Sequence, residues 1–294
     1  TSNIMMPLVP DADGKYNKAE FLTMGGVYLL SPGSYVAFAQ SRMDTVDLSG
    51  GGMDLSSRNT GSLNQSRWYG QGVLLPTGQV MLFSGADLDE VVLPGTEAPR
   101  MEPEMFDPAT ETWSVMAKQG HARTYHNSAL LLPDGRVLVG GHSPIPFGYA
   151  VFVDVPLRAP QGRDPTFEIY SPPYMFKPRP VISSLSASSA APGASLTINT
   201  PDAAAVAKDG YVVLVRRTAI THLVDGDQRN VVLRITGSNA SSLTVQLPDN
   251  DAAQNQAVIP PGHYLVFVVK KNGAELAPSV SANLLITGAD LGCH

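Results

Sequence analysis

Two histidine-bearing segments, about a hundred residues apart, carry the side chains of this chain that are best suited to chemistry. In the first, Tyr125 directly precedes His126. In the second, His222 follows Thr221 and precedes the run Asp227-Gln228-Arg229. Two imidazoles and a phenol offer borderline nitrogen and oxygen donors, which copper(II) accepts in a tetragonal arrangement. The side chains can act together only if the fold brings the two segments to one place.

The first segment lies in one copy of an internal repeat. Residues 66–85 match residues 122–141 position by position, so that Tyr69 corresponds to Tyr125, and a fainter copy occupies residues 4–26. Each copy is typical of a strand, a tight turn, a second strand and a glycine pair. A period near 50 residues with glycine pairs and outer aromatics predicts a kelch-type β-propeller.

The propeller blades are predicted for residues 1–178 and a second region for residues 179–294. Within the blades, Asp134-Gly135 is a strong hairpin signal because glycine readily adopts a positive φ. The second region alternates short apolar runs with turn residues, which predicts an immunoglobulin-like β-sandwich. The predicted strands are Ser195–Ile198, Tyr211–Val215, Val231–Ile235, Leu243–Leu247 and His263–Val269.

Residues 1–178 hold only about three blades, whereas a propeller needs at least ~4 to close. Three blades alone would leave two exposed sheet edges, which invite aggregation. We therefore expect this chain to be the C-terminal part of a larger propeller, completed by another segment or, as the favoured alternative, by a second polypeptide.

Composition agrees with an all-β protein. Charged residues make up only 16% of the chain, while there are 27 glycines and 24 prolines, a mixture typical of short strands joined by tight turns. The net charge of −6 gives no electrostatic reason to expect nucleic acid, and no run of 18 apolar residues predicts a membrane span. We expect a secreted or cell-surface protein, whose single cysteine, Cys293, pairs with another chain or stays a free thiol.

The two histidine segments, taken with the repeat, closely resemble the copper-ligand segments of the galactose oxidase and glyoxal oxidase family, the copper radical oxidases. The resemblance implies a seven-bladed propeller followed by a sandwich. It also implies that copper is held by Tyr125, His126 and His222, with Tyr125 as the axial phenol and the base that accepts the substrate proton. A positioned base of this kind needs the deprotonated form held ready.

The family's second cofactor, a tyrosine cross-linked to a cysteine, is expected in the N-terminal part that this chain lacks. The chain alone is therefore not expected to turn over. Tyr69 is expected to line the propeller axis, and Asp227, Gln228 and Arg229 to fix the loop that carries His222. The segments 74–80 and 170–174 look closer to the glyoxal oxidase branch, which implies small aldehydes before galactose.

Two functions remain open at this point. In the first, the chain joined to its missing part oxidises an aldehyde or a primary alcohol with O2 and releases H2O2. In the second, it is a non-catalytic glycan-binding or structural module, because propellers and sandwiches host many functions. A cysteine and a tyrosine at upstream blade starts would separate the two.

Overall fold

The chain folds almost entirely into β-strands. The computed structural model describes residues 2–31, 34–87, 99–141, 164–221, 224–249 and 258–288. None of the helices in these ranges has the length and apolar character that crossing a membrane requires. The predicted all-β fold, a partial kelch-type propeller followed by a sandwich, is confirmed.

Three antiparallel sheets with strands in chain order form the first region, as expected for propeller blades. Sheet I contains β1 (Ser2–Met5), β2 (Lys18–Ser31), β3 (Ser34–Asp47) and β4 (Asp54–Asn59). Sheet II contains β5 (Gln71–Leu74), β6 (Val80–Phe83), β7 (Glu104–Asp107) and β8 (Thr112–Val115). Sheet III contains β9 (Asn127–Leu131), β10 (Val137–Gly141) and β11 (Phe167–Tyr170), followed by a 3-10 turn at Pro173–Phe176.

The inner hairpins follow from the turn residues that the repeat predicts. Gly78 and Gly135 both have positive φ, at 80° and 90°, which a residue without a Cβ adopts at little cost. In the second hairpin the N–H of Leu132 donates to the carbonyl of Arg136 at 2.8 Å. The turn reverses the chain, so β10 pairs antiparallel with β9, as β6 does with β5.

Sheet II is packed between the other two sheets, and every residue of β5 and β6 is buried. The outer face of sheet III is different. Leu130 and Leu138 on it are half-buried, while Phe167 and Ile169 are 67% and 44% exposed. Sheet III therefore presents an apolar face to solvent.

The described part of the second region consists of a nine-stranded sheet that folds over on itself and of a separate pair of strands, β16 and β17. The order of the nine-stranded sheet is β12-β14-β19-β18-β15-β20-β22-β13, with β21 paired to β20. Apolar residues from both halves, such as Leu196, Val245, Val212 and Val266, share one core, so the fold is a sandwich. Its elements are β12 (Ser184–Leu185), β13 (Ser189–Ala190), β14 (Ser195–Asn199), α1 (Ala203–Asp209), β15 (Tyr211–Arg216), β16 (Ile220–Thr221), β17 (Val224–Asp225), β18 (Asn230–Ser238), β19 (Ser242–Gln246), β20 (Gly262–Asn272), β21 (Glu275–Pro278) and β22 (Ala282–Ile286).

The two regions share a core. On β15 and β20, alternate residues pack inside the sandwich, and the residues between them pack on sheets II and III. Val213 and Phe267 thereby join the same cluster as Phe83 and Val139. The hydroxyl of Tyr211 also donates to the carbonyl of Pro76 at 3.0 Å. The boundary predicted between residues 178 and 179 stays a prediction.

Candidate copper site

Tyr125 and His126 lie in the turn that leads into the inner strand β9. His126 has a φ of 53°, a left-handed conformation that is uncommon outside glycine. Neighbouring strand residues point to opposite faces, but this turn places the two rings together, with centroids 3.9 Å apart. The phenol is half-buried and the imidazole is exposed. The sequence pattern required such an irregularity if both side chains were to serve one metal, and the structure contains it.

The glycine that ends β10 makes this turn possible. Gly141 has a φ of 73°, and a Cβ added there would lie 2.5 Å from the carbonyl oxygen of His126. That distance is far inside van der Waals contact, so any larger residue would displace the turn. The corresponding Gly85 of sheet II approaches the carbonyl oxygen of Trp68 in the same way, at 2.3 Å. The glycine of the repeat therefore fixes the backbone just before each inner strand.

Tyr69, which the repeat matches to Tyr125, lies beside it. It also has a positive φ, of 58°, and it precedes β5 as Tyr125 precedes β9. The two phenol rings meet edge to face, with centroids 4.6 Å apart, and Trp68 stacks on Tyr69 at 4.1 Å. An edge-to-face contact is the arrangement that the quadrupoles of two rings favour, so Tyr69 limits the directions that Tyr125 can take.

A buried arginine supports the turn from behind. Arg123, only 1% exposed, donates from Nη1 to the carbonyls of Gly141 and Thr166, both at 3.0 Å. Its Nε lies 3.4 Å from a carboxylate oxygen of Glu168. The backbone amide of Gly85 in turn donates to the carbonyl of Arg123 at 3.0 Å, which ties sheet II to the turn of sheet III.

His222 itself lies outside the described residues, as do His142, Cys293 and His294. The strands on either side of it are described, and β16 pairs with β17 as a hairpin. At its base the N–H of Ala219 donates to a carboxylate oxygen of Asp225 at 2.9 Å. Burial raises the pKa of Asp225.

The residues after the hairpin hold its base, the role expected for them from the sequence. Asp227 forms an ion pair with Arg216, and Gln228 exchanges two hydrogen bonds with the backbone of Met5, at 3.0 and 2.8 Å. Arg229 donates to the carbonyl of Val258 at 3.1 Å. The hairpin base is therefore joined to the first strand of the propeller as well as to the sandwich.

A small cleft separates the hairpin base from the inner strands. Gly72 of β5 and Ala129 of β9 lie on one side of it, and Thr218, Asp225 and Gln228 lie on the other. Those two strands begin directly after the turns that carry Tyr69 and Tyr125. The elements that carry the predicted ligands are therefore neighbours, while convergence of His222 with Tyr125 and His126 stays a prediction.

The donor set suits copper in kind. A phenol and an imidazole on the same side of one turn supply the oxygen and nitrogen donors that copper(II) accepts. In the described ranges no group of three His, Cys, Asp or Glu side chains is placed to hold a metal. Two other histidines, His121 and His263, are exposed. The Nδ1 atom of His121 lies 3.3 Å from Asp164.

Comparison with known proteins identifies the family. The model of the glyoxal oxidase N-terminus matches residues 1–174, and that of the galactose oxidase-like early set domain matches residues 179–284. The chain is 27% identical to a galactose oxidase of Gibberella zeae over 92% of its own length and 36% of that protein. It is 26% identical to an aldehyde oxidase, GLOX, of Vitis pseudoreticulata over 91% of its own length and 50% of that protein.

A solved structure shows the same fold. A fungal alcohol oxidase of the AA5 family, in complex with copper, superposes with a TM-score of 0.74 at 24% identity. That comparison covers 97% of this chain and 54% of the other. The chain thus spans about a third to a half of the length of the curated relatives named above. With more than half of its residues matched by the glyoxal oxidase model, it belongs to the glyoxal oxidase and galactose oxidase family.

Proposed function

We propose that this chain forms the copper-holding part of an oxidase that converts small aldehydes or primary alcohols with O2 and releases H2O2. The observation that carries the proposal is the turn before β9, where Tyr125 and His126 stand together at 3.9 Å. His126 has a positive φ of 53° there, a conformation that costs a non-glycine residue of order 1–3 kcal/mol and that clusters at functional sites. The turn of Tyr69 has the same sign of φ but is followed by a glycine instead of a histidine, so the ring pair of Tyr125 and His126 is what distinguishes the turn before β9.

Tyr125, His126 and His222 would hold the copper ion. When bound, the metal would supply one-electron redox chemistry. Tyr125 is half-buried between Tyr69 and His126, a setting in which a phenolate accepts the hydroxyl proton of a bound alcohol or aldehyde hydrate. His126 and His222 would each contribute a ring nitrogen as a ligand.

The overall reaction removes two hydrogens from the substrate and transfers them to O2. A primary alcohol gives the aldehyde, and an aldehyde hydrate gives the carboxylic acid, with one H2O2 for each turnover. The second one-electron acceptor, the tyrosine–cysteine cofactor of the family, is proposed to lie in the remaining blades. Glyoxal-type aldehydes are the first substrates to test because the glyoxal oxidase model matches the whole blade region, with primary alcohols and galactose next.

The remaining blades are proposed to pack on the outer face of sheet III. Phe167 and Ile169 are exposed there, whereas the equivalent face of sheet II packs against the neighbouring sheet. The corresponding face of sheet I is more polar and includes Asn3, Thr23 and Arg42. We propose that a second polypeptide, secreted with this one and linked through Cys293, covers the apolar face.

The partner is tested by size and by substitution. A complex larger than the 31.2 kDa chain is expected on size-exclusion chromatography, and Phe167→Lys is expected to dissociate it because a charge would be buried in the contact. Val224→Lys is a control on an exposed apolar residue of the hairpin. A soluble monomer of the unsubstituted protein would refute the second polypeptide, and unchanged mobility on non-reducing electrophoresis would exclude the Cys293 link.

The activity is tested with the copper-loaded complex. O2 consumption and H2O2 release are measured with a small aldehyde, a primary alcohol and galactose. His222→Ala is expected to abolish both activity and tight copper binding because a strong nitrogen donor is lost. His121→Ala is the matched control, since that exposed imidazole pairs with Asp164. Copper binding without peroxide from any of these substrates would favour the non-catalytic module.

A further inference from the structure

The first residue of strand β9, Asn127, joins two turns that the repeat places in different blades. Its side chain is 2% exposed. The amide nitrogen Nδ2 donates to the carbonyl oxygen of Thr124 at 2.6 Å and to that of Tyr69 at 2.7 Å. Because only the NH2 end of a carboxamide can donate to two carbonyls, these contacts fix which end is nitrogen.

Both carbonyls belong to peptide groups next to a tyrosine. The Thr124 carbonyl is in the peptide that enters Tyr125, and the Tyr69 carbonyl is in the peptide that leaves Tyr69. The side chain of Asn127 therefore ties the two peptide planes from which the edge-to-face pair of phenols extends. The distance of 4.6 Å between those rings depends on both planes.

The acceptor end of the same side chain does not contribute to local stability. Oδ1 of Asn127 is buried and has no hydrogen-bond partner in the part of the chain that the structure describes. A buried acceptor without a partner is destabilising, so an apolar side chain would give a more stable core at this position. The two hydrogen bonds that the NH2 group donates therefore explain why the residue is an asparagine.

Sheet II provides an internal comparison at the same repeat position. Gln71 is also a carboxamide, is 1% exposed and begins the inner strand β5. Its Nε2 donates to the carbonyl of the next residue, Gly72, at 3.1 Å. The carboxamide of sheet II therefore bonds within its own strand, whereas that of sheet III reaches across to the neighbouring blade.

We propose that Asn127 is a positioning residue of the copper site, whose side-chain amide clamps the turn of Tyr125 and His126 to the turn of Tyr69. The clamp sets the direction of the Tyr125 phenol relative to the His126 imidazole. Outer partners that orient ligands typically change metal affinity by about 10- to 100-fold when they are lost. The effect on copper rests on the proposed function, whereas the clamp between the two tyrosine turns does not.

The test replaces Asn127 by a residue of the same shape without donors. Asn127→Asp presents an oxygen to both carbonyls, and Gln71→Glu makes the same change at the equivalent position of sheet II. Each variant is made in the complete protein with 3-fluorotyrosine at position 125, and melting temperatures establish that it is folded. If Asn127→Asp does not fold, Asn127→Ser, which keeps one donor, is used in its place.

Two readouts are taken, and only one of them needs copper. The fluorine resonance at position 125, which senses the ring current of Tyr69, is expected to move and broaden in Asn127→Asp and to stay in place in Gln71→Glu. Copper affinity by calorimetry is expected to fall about 10- to 100-fold in Asn127→Asp alone, with a changed electron paramagnetic resonance spectrum of the bound ion.

The outcomes separate the two claims. An unchanged fluorine resonance in Asn127→Asp, or an equal change in Gln71→Glu, would overturn the clamp. An altered resonance with unaltered copper affinity and spectrum would overturn the role in the metal site. If the unsubstituted protein binds no copper, the proposed function fails, and the fluorine comparison still decides whether Asn127 holds the two turns together.

Discussion

The guanidinium of Arg67 and the carboxylate of Glu104 form an ion pair 2.9 Å long, and neither side chain is exposed to solvent. The same carboxylate accepts bonds from the backbone amides of Asn64 and Gln65, at 2.6 and 3.1 Å. Burial lowers the pKa of Arg67, and the charge of Glu104 opposes that shift. The pair is therefore enclosed by the protein, and Arg67 lies two residues before Tyr69.

Removing the charge of Glu104 should destabilise the folded protein. Glu104→Gln is expected to lower the free energy of unfolding by about 3–5 kcal/mol, because it leaves a buried guanidinium without a counter-charge. Urea unfolding followed by circular dichroism measures the change. Glu275→Gln is the control, since Glu275 pairs with Lys177 in the open and such pairs contribute only ~0–1 kcal/mol. Equal losses in the two variants would contradict the prediction.

A side chain at Gly141 should destabilise the protein in two ways, through the positive φ and through overlap with the His126 carbonyl, and the two costs can be measured separately. Gly141→Ala is expected to destabilise by about 1–2 kcal/mol for the positive φ and by a further ~1–3 kcal/mol for the overlap with the His126 carbonyl. Gly51→Ala has the same sign of φ, at 80°, with nothing near its Cβ, and should show only the first cost. Thermal unfolding of both variants makes the comparison, which fails if the two losses are alike.

Tyr125→Phe should separate metal binding from proton transfer. The variant keeps the ring between Tyr69 and His126 but has no oxygen to accept a proton. Turnover in the copper-loaded complex is expected to fall by roughly 10²–10⁴, the usual contribution of a positioned general base, while the two imidazoles retain copper. Steady-state H2O2 release and the copper content per chain are the measurements. Loss of all copper would contradict this prediction, because it would show that the two imidazoles do not retain the metal without the Tyr125 oxygen.

Two buried tyrosines should make the protein sensitive to alkali. Burial raises the pKa of Tyr16 and of Tyr174, whose hydroxyls donate to the carbonyls of Val232 and Gly135. The folded state keeps these protons above pH ~10, where the unfolded chain releases them. Stability is therefore fully present below pH ~10 and falls as the pH rises further, by about 1.4 kcal/mol per pH unit for each tyrosine.

Tyr16→Phe provides the check on that slope. Unfolding free energies are measured in urea between pH 9 and 11, on the order of one pH unit to each side of the ordinary tyrosine pKa. The variant should lose stability at neutral pH, because the Val232 carbonyl loses its donor, and should show a shallower fall in alkali. A slope equal to that of the unsubstituted chain would show that Tyr16 does not titrate with unfolding.

Strand positions were predictable where local pattern and packing agree. The apolar runs at 211–215 and 263–269 form β15 and β20. Turn residues flank both runs, and both faces of each strand are buried. The positive φ of Gly135 followed from the Asp134-Gly135 pair. The equivalence of Tyr69 and Tyr125 followed from the repeat, and the structure places their rings in contact.

Contacts between distant positions were not predictable in the same way. The repeat marked Arg67 and Arg123, but their partners Glu104 and Glu168 lie in the third strand of each sheet, and no local signal joins them. Asn127 resembles any polar strand start until its amide is seen to reach the Tyr69 carbonyl. The faint first copy of the repeat ended at residue 26, so it covered only part of the 14-residue strand β2 and did not predict the 14-residue strand β3.

Strands β15 and β20 have no face left for water, since one side packs inside the sandwich and the other on the blades. Pulling the two regions apart would uncover Val213, Val215, Leu265 and Phe267, each of which contributes about 1.5–3 kcal/mol when buried. That total approaches the ~5–15 kcal/mol that holds a whole domain together. The two regions should therefore unfold as one cooperative unit, and heating should release both in a single calorimetric transition.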